Sequence, residues 1–243
     1  MNTIKINSKK TKIIAHRGLS GIELENTCSS FIAAANRSYF GIETDVHCTL
    51  DNKFIIHHDN STKRLSTKTL EIEKTEYKVL RELQLTKSNS LARTDYKMPN
   101  VEEYLNICQT YNKNCIIELK NEFSKPQVKK LVKLIEKSSS TEFFNNNIIF
   151  ISFWPNNLIN LRELLPTAHL QFLYNHPVNK DVFGLLTTYN LNLDLEYSYI
   201  TKDLIKTLHK QGKKVNCWTL DDPTIAKKLI SWGIDYITTN ILE

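Results

Sequence analysis

The sequence predicts an α/β protein, a single closed (β/α)8 TIM barrel. Short β-branched runs alternate with stretches of helical periodicity from residue 12 onward. No second zone of composition, linker, internal repeat or coiled-coil pattern interrupts them. The length, 243 residues, suits one large core, since such a barrel needs about 250.

The first strand is predicted over Lys12 to Ala15 and delivers His16-Arg17-Gly18. Asn26 is placed to cap a helix reaching about Arg37, with Phe31, Ala34 and Ala35 turned inward. Gly41 to Val46 reads as a strand, Thr49 to Lys53 as a turn, and Phe54 to His57 as a further strand ending at His58. Residues 60–100 break the alternation. Rich in Thr, Ser, Lys and Asn and without clear periodicity, they are expected to form an insertion over the site, ending in a turn at Met98-Pro99. From Val101 the pattern resumes. A helix to about Tyr111 precedes the strand holding Ile116 to Lys120, and a helix from Pro126 to about Lys137, with proline in its first turn, precedes Ile148 to Ser152. Asn157 to Leu165 is helical, Leu170 to Leu173 extended, 181–189 helical and Leu191 to Leu195 extended. Thr201 to Gln211 is a helix stopped by Gly212. Val215 to Trp218, Pro223 to Trp232 and Tyr236 to Thr239 complete the order as strand, helix, strand.

Hydrophobic content of 41% and charged content of 24% exclude a disordered or membrane-embedded chain. No apolar run approaches the roughly 20 residues of a membrane span. The opening residues lack an apolar signal region and Lys9, Lys10 and Lys12 follow, so the expected location is cytoplasmic. A net charge of +6 invites a nucleic-acid reading, yet the largest lysine group, Lys125 to Lys137, has helical spacing and is expected to be a solvated helix face. Five cysteines, an odd number without a C-x-x-C pair, point to reduced, packed thiols and away from a disulfide framework or a zinc site.

The chemistry concentrates between Ile13 and Asp59. Charges and imidazoles are costly to bury at strand ends without partners, so a cluster of them is expected to converge on one ligand. Residues i and i+2 of a strand share a face, which sets Glu43 and Asp45 side by side with Thr44 opposite. Two adjacent carboxylates repel unless a cation or proton lies between them. Glu118 adds a third beside the fixed positive charge of Lys120. Oxygen ligands of this kind suit Mg²⁺ or Ca²⁺ rather than zinc. His16 and His58 can move protons near neutral pH, and Arg17 and Lys120 can hold an anion. Together these residues describe a metal-assisted phosphoryl-transfer site.

The same residues resemble the glycerophosphodiester phosphodiesterase family. They are His16-Arg17-Gly18, Glu25-Asn26-Thr27, Glu43-Thr44-Asp45 and His58-Asp59, followed by the stretches from Met98 to Glu103, Glu118 to Lys120, Ser152-Phe153, Trp218-Thr219 and Gly233 to Asn240. The resemblance covers nearly the whole chain. It implies one domain over 1–243, a small glycerophosphodiester as substrate, and hydrolysis to sn-glycerol 3-phosphate and an alcohol. Glu43, Asp45 and Glu118 would hold the cation, Arg17 and Lys120 the phosphate, and His16 and His58 would be the acid and base, in an order the sequence leaves open. Direct attack by water and attack by a glycerol hydroxyl through a cyclic phosphate also stay open. Trp218 would wall the glycerol moiety. The insertion would touch the leaving alcohol. Three positions depart from the family pattern: Leu24 stands where proline is usual, Asn52 replaces a turn glycine, and Asn240 replaces an aspartate.

Each feature also has a structural reading. His16 can be a satisfied core histidine. His57 is expected to be structural because strand alternation turns it away from His58. His47 fits a pocket wall or a surface turn. The three carboxylates can form ion pairs with Arg17 and Lys120 without any metal, Asp59 can pair locally with Arg64, and Trp218 can belong to the core. A lysophospholipase D-like or cyclising phospholipid enzyme on the same barrel is the competing activity, although no exposed aromatic cluster suggests membrane contact. A non-catalytic phosphate-binding barrel is a further alternative, and a zinc amidohydrolase is excluded because Arg17-Gly18 follows His16 where a His-x-His is required.

Overall fold

The computed structural model describes residues 2–86 and 93–243. Its elements follow in the order β1 (Lys12–Ala15), α1 (Cys28–Ala35), β2 (Gly41–Cys48), β3 (Phe54–Ile56), α2 (Tyr77–Glu82), α3 (Val101–Thr110), β4 (Asn114–Leu119) and α4 (Lys125–Ser138). They continue with α5 (Thr141–Asn147), β5 (Ile148–Ser152), α6 (Pro155–Leu164), β6 (His169–Tyr174), α7 (Lys180–Thr188), β7 (Asn192–Glu196), α8 (Lys202–Lys210), β8 (Val215–Trp218), α9 (Pro223–Trp232) and β9 (Tyr236–Thr239).

Eight parallel strands close the barrel in the order β1-β2-β4-β5-β6-β7-β8-β9, because β1 pairs with β2 on one side and with β9 on the other. The (β/α)8 expectation holds. β3 is not a stave. It turns back antiparallel along the end of β2, with His47 opposite Ile55, because the short turn before it cannot hold the dozen or more residues of a parallel crossover.

Strand alternation sorts the core into two layers. Ile13, Ile42, Val46, Ile117 and Leu119 point outward under the helices and form the main core with Phe31, Tyr104, Leu131 and Leu161. Ile14, Ile116, Ile149, Ile151, Leu173 and Tyr236 fill the barrel interior, as a packed barrel requires. Next to them lies a buried polar group in which Asn216 Nδ2 donates to Gln171 Oε1 at 3.2 Å and Asp194 Oδ2 at 3.0 Å.

α4 buries Val128, Leu131, Val132 and Ile135 and exposes Lys129, Lys130, Lys133 and Lys137, the solvated lysine face that helical spacing predicts. α5 was not expected. Ser140 caps it, accepting from the Phe143 backbone N–H at 3.2 Å, and Phe143 anchors it in the core. The region after β3 carries short 3-10 turns at Thr62–Arg64 and Ile72–Lys74 as well as α2. It builds a separate small core from Leu24, Ile55, Leu65, Ile72, Leu80, Leu83, Leu85, Tyr96 and Met98. Residues 87–92 of the expected insertion lie outside the described residues.

Candidate active site

The site forms where β1, β2 and β4 end. Past β1 the chain bends sharply, with positive φ at Arg17 (54°) and Gly18 (77°). Gly18 is required there: a Cβ would lie 2.6 Å from the Ser30 carbonyl carbon. The bend turns the Arg17 backbone N–H onto Glu43 Oε2 at 2.8 Å and leaves His16 at the mouth. Asn26 is not the helix cap. That role belongs to Thr27, which forms a capping box with Ser30. Asn26 takes a left-handed φ of 52°, donates from Nδ2 to Asp45 Oδ2 at 2.7 Å and accepts from the Thr44 hydroxyl at 2.9 Å. It fixes the Asp45 carboxylate.

Glu43, Asp45 and Glu118 come together as strand parity requires. β2 and β4 pair with Asp45 opposite Glu118, and one oxygen from each of the three side chains lies within 4.8 Å of the others. All three are buried. Lys120 Nζ sits 2.8 Å from Glu118 Oε1 and 3.3 Å from Asp45 Oδ1, and Arg17 Nε lies 3.3 Å from Asp45 Oδ2. Burial works against the Asp45 carboxylate, but Lys120 and Arg17 outweigh it and hold Asp45 well below the usual range. Burial and the neighbouring Asp45 and Glu118 push Glu43 well above it, and burial raises Glu118 to about 7.

The ion pairs are therefore present, yet they do not complete the site. Three carboxylates crowd two cations, and burial with mutual repulsion pushes Glu43 and Glu118 up; among the described residues Asp45 Oδ1 has no hydrogen-bond partner, only the Lys120 ammonium 3.3 Å away. A buried, all-oxygen cluster of three carboxylates, two of them raised by burial and by their neighbours' charge, fits a hard divalent cation.

The two histidines have different partners. His16 Nδ1 is 2.8 Å from the Asn240 side-chain oxygen, and burial followed by Arg17 lowers it to about 4. His58 Nδ1 faces Asp59 Oδ1 at 2.7 Å; burial lowers it too, opposed by Asp45 and Asp59. Asp59 also accepts from Arg64 Nε at 2.8 Å. Arg64 in turn grips Glu25 with both terminal nitrogens at 2.8 and 2.7 Å, and Glu25 accepts from Arg17 Nη1 at 2.9 Å. The region after β3 thus reaches the site through Arg64. The Asp59–Arg64 pair predicted as local also backs His58.

His16, Arg17, Glu43, His58, Glu118, Lys120 and Trp218 line a single cleft, with Asp45 buried beside it. Trp218 is half-buried and stands edge-on to Phe153, ring centroids 5.4 Å apart. His57 is buried with Nε2 3.1 Å from the Ser61 carbonyl. His47 is neither a pocket wall nor a turn residue: it is fully buried, with Nε2 3.3 Å from the His58 carbonyl.

Sequence reasoning missed Phe153, Arg64 and Asp194 as neighbours of the cleft. Asp194 lines it from β7, has an Oδ1 without a hydrogen-bond partner among the described residues and is pushed far up by burial and then by Glu118. An acid at an inward position of the strand in which leucines alternate with Asn192 and Asp194 was the available signal.

Residues 16–243 match the profile of the glycerophosphoryl diester phosphodiesterase family. The chain is 25% identical to a glycerophosphodiester phosphodiesterase of Bacillus altitudinis, covering 95% of this chain and 94% of that one. It is similar in structure to a glycerophosphodiester phosphodiesterase from Parabacteroides distasonis (TM-score 0.78, 28% identity, 95% and 93% coverage). Its fold also matches an Oleispira antarctica phosphodiesterase solved with the product sn-glycerol-3-phosphate (TM-score 0.84, 21% identity, 97% and 95% coverage).

Proposed function

The chain belongs to the glycerophosphoryl diester phosphodiesterase family, and on that premise we propose that it hydrolyses glycerophosphodiesters to sn-glycerol 3-phosphate and an alcohol. One observation carries the proposal: a buried trio of mutually repelling carboxylates lies at one cleft with two histidines of unlike surroundings. Glu43, Asp45 and Glu118 would hold one divalent cation, Mg²⁺ or Ca²⁺ by their oxygen chemistry. When bound, it supplies Lewis-acid polarisation of a phosphate oxygen.

The chain's own groups do the rest. Arg17 and Lys120 set positive charge beside the phosphate, where it counts most as charge develops in the transition state. His16 is the base. Burial and Arg17 keep it neutral, its Nδ1 is occupied by the Asn240 oxygen, and Nε2 takes the proton of the attacking oxygen. His58 is the acid. Its partner is the Asp59 carboxylate, which with Asp45 works against the downward pull of burial on the imidazolium, and it gives its proton to the leaving alkoxide as the P–O bond breaks. Trp218 and Phe153 offer the glycerol carbons an apolar wall.

Changing the leaving group tests the roles. With a choline or ethanolamine leaving group, His58→Ala should lose about 10²–10⁴-fold in turnover, the range for a general acid. With a nitrophenolate, which departs without a proton, the loss should be much smaller. His16→Ala should be impaired on both substrates alike. Equal losses for His58→Ala on both would remove it from the acid role.

A further inference from the structure

The group that sets the state of His16 does not touch it. His16 Nδ1 lies 2.8 Å from Asn240 Oδ1, and the other end of that amide, Nδ2, donates to Asp221 Oδ2 at 2.7 Å. The second Asp221 oxygen accepts from the Asn240 backbone N–H at 2.7 Å and from the Thr239 hydroxyl at 2.8 Å. Asp221 comes from the turn after β8, next to the α9 cap Asp222, whereas Asn240 directly follows β9. Two strand ends are joined behind His16.

The direction of each bond follows from which atoms can donate. An ionised carboxylate only accepts, so the Asn240 end that faces Asp221 must be its NH₂. The amide then has only its oxygen to offer His16. Because that oxygen also only accepts, His16 Nδ1 must carry the proton, and Nε2 is left with its lone pair. Ser20 does not decide this. Its hydroxyl is 2.7 Å from both Asn240 Oδ1 and the His16 carbonyl, and a hydroxyl can donate or accept.

We propose that Asp221 is a positioning residue which, acting through Asn240, locks His16 in the tautomer whose Nε2 is free to accept a proton. The proposal rests on the reading of His16 as the base. It requires no contact between Asp221 and substrate.

Asp221→Asn makes the claim testable at nearly constant size. The Asn240 backbone N–H cannot turn over, so the new amide keeps its oxygen there and presents its NH₂ to the Asn240 side chain. The Asn240 amide then flips, offers its own NH₂ to His16, and Nδ1 must accept. The proton moves to Nε2. In the double variant Asp221→Asn/Asn240→Asp, the carboxylate beside His16 accepts from the new amide on one side and from Nδ1–H on the other, which restores the original tautomer.

Nitrogen NMR of the histidine-labelled full chain without substrate reads the protonated nitrogen directly, with His16 identified by its loss in His16→Gln. The expected results are Nδ1–H in the parent, Nε2–H in Asp221→Asn and Nδ1–H again in the double variant. Turnover should follow, falling roughly 10–100-fold in the single variant, the range for outer partners of orienting histidines, with KM little changed, and largely returning in the double. A residue that only ties the two loops together would lower the melting temperature without moving the proton. An Nε2–H tautomer in the parent, or an unchanged tautomer in Asp221→Asn, would overturn the proposal. Because the tautomer is read without substrate, a chain that cleaved no diester would still decide it.

Discussion

Replacing Glu43 by glutamine should abolish cation binding and leave the cation-free protein as stable as before, whereas replacing Asp45 by asparagine should damage both. Glu43 is only 2% exposed, and burial with Asp45 and Glu118 pushes its carboxyl well above the usual range, which favours the neutral form. Glutamine copies that neutral form and can still accept from the Arg17 N–H. The expected change in EDTA is under about 0.5 kcal/mol, or about 2 °C for a chain of this size. Asp45 is the reverse case. Its charge sits 3.3 Å from both Arg17 Nε and Lys120 Nζ, and removing one member of a buried ionic cluster costs about 3–5 kcal/mol, hence about 10 °C or more. Melting curves in EDTA and then in Mg²⁺ or Ca²⁺ read both effects. At a hundredfold excess over Kd the parent should gain about 2.7 kcal/mol, or about 5–10 °C, and Glu43→Gln should gain almost nothing. A cation shift in Glu43→Gln equal to the parent's, or parental stability of Asp45→Asn in EDTA, would refute the charge assignment.

Three further outcomes are expected. Gly18→Ala, with φ at 77° and Ser30 in the way, should destabilise by roughly 2–4 kcal/mol in urea titrations. Glu25 is opposed by burial but held down to about 2 by Arg64 and Arg17, against an ordinary 4.5; its contribution is complete above the ordinary value and is lost as pH falls toward the lower one. Glu25→Gln should thus be clearly less stable than the parent at neutral pH, with urea midpoints that converge in strong acid. Trp218→Ala should raise KM for a glycerophosphodiester about 10-fold with a smaller effect on kcat, the pattern of lost ground-state contact, as initial-rate kinetics will show.

What could be read in advance follows from which forces are local. The period of two in a strand placed Glu43 with Asp45 and Glu118 with Lys120, and β2–β4 pairing needed only the correct register to unite them. Helix stops such as Gly212, and first-turn prolines such as Pro126, act within a few residues and were legible for that reason. Asn26 was not: the polar side chain that caps a helix also suits a left-handed φ, and only the nearby Asp45 and Thr44 reveal its use. β3 read correctly as a strand, but its antiparallel return along β2 is a tertiary fact. α5 is a poor helix by composition, held by its Ser140 cap and by packing of Phe143. The unlike partners of His16 and His58 arise from Asn240 and Asp59, the first brought in from the far end of the chain by the β1–β9 pairing that closes the barrel.

Release of glycerol 3-phosphate from glycerophosphocholine and glycerophosphoethanolamine tests the central claim most directly. The purified chain would be assayed in EDTA and after restoring Mg²⁺ or Ca²⁺, beside His16→Ala and His58→Ala. The account predicts release that requires the cation and is lost in both variants. No release with either diester and either cation, or full turnover in either histidine variant, would contradict it.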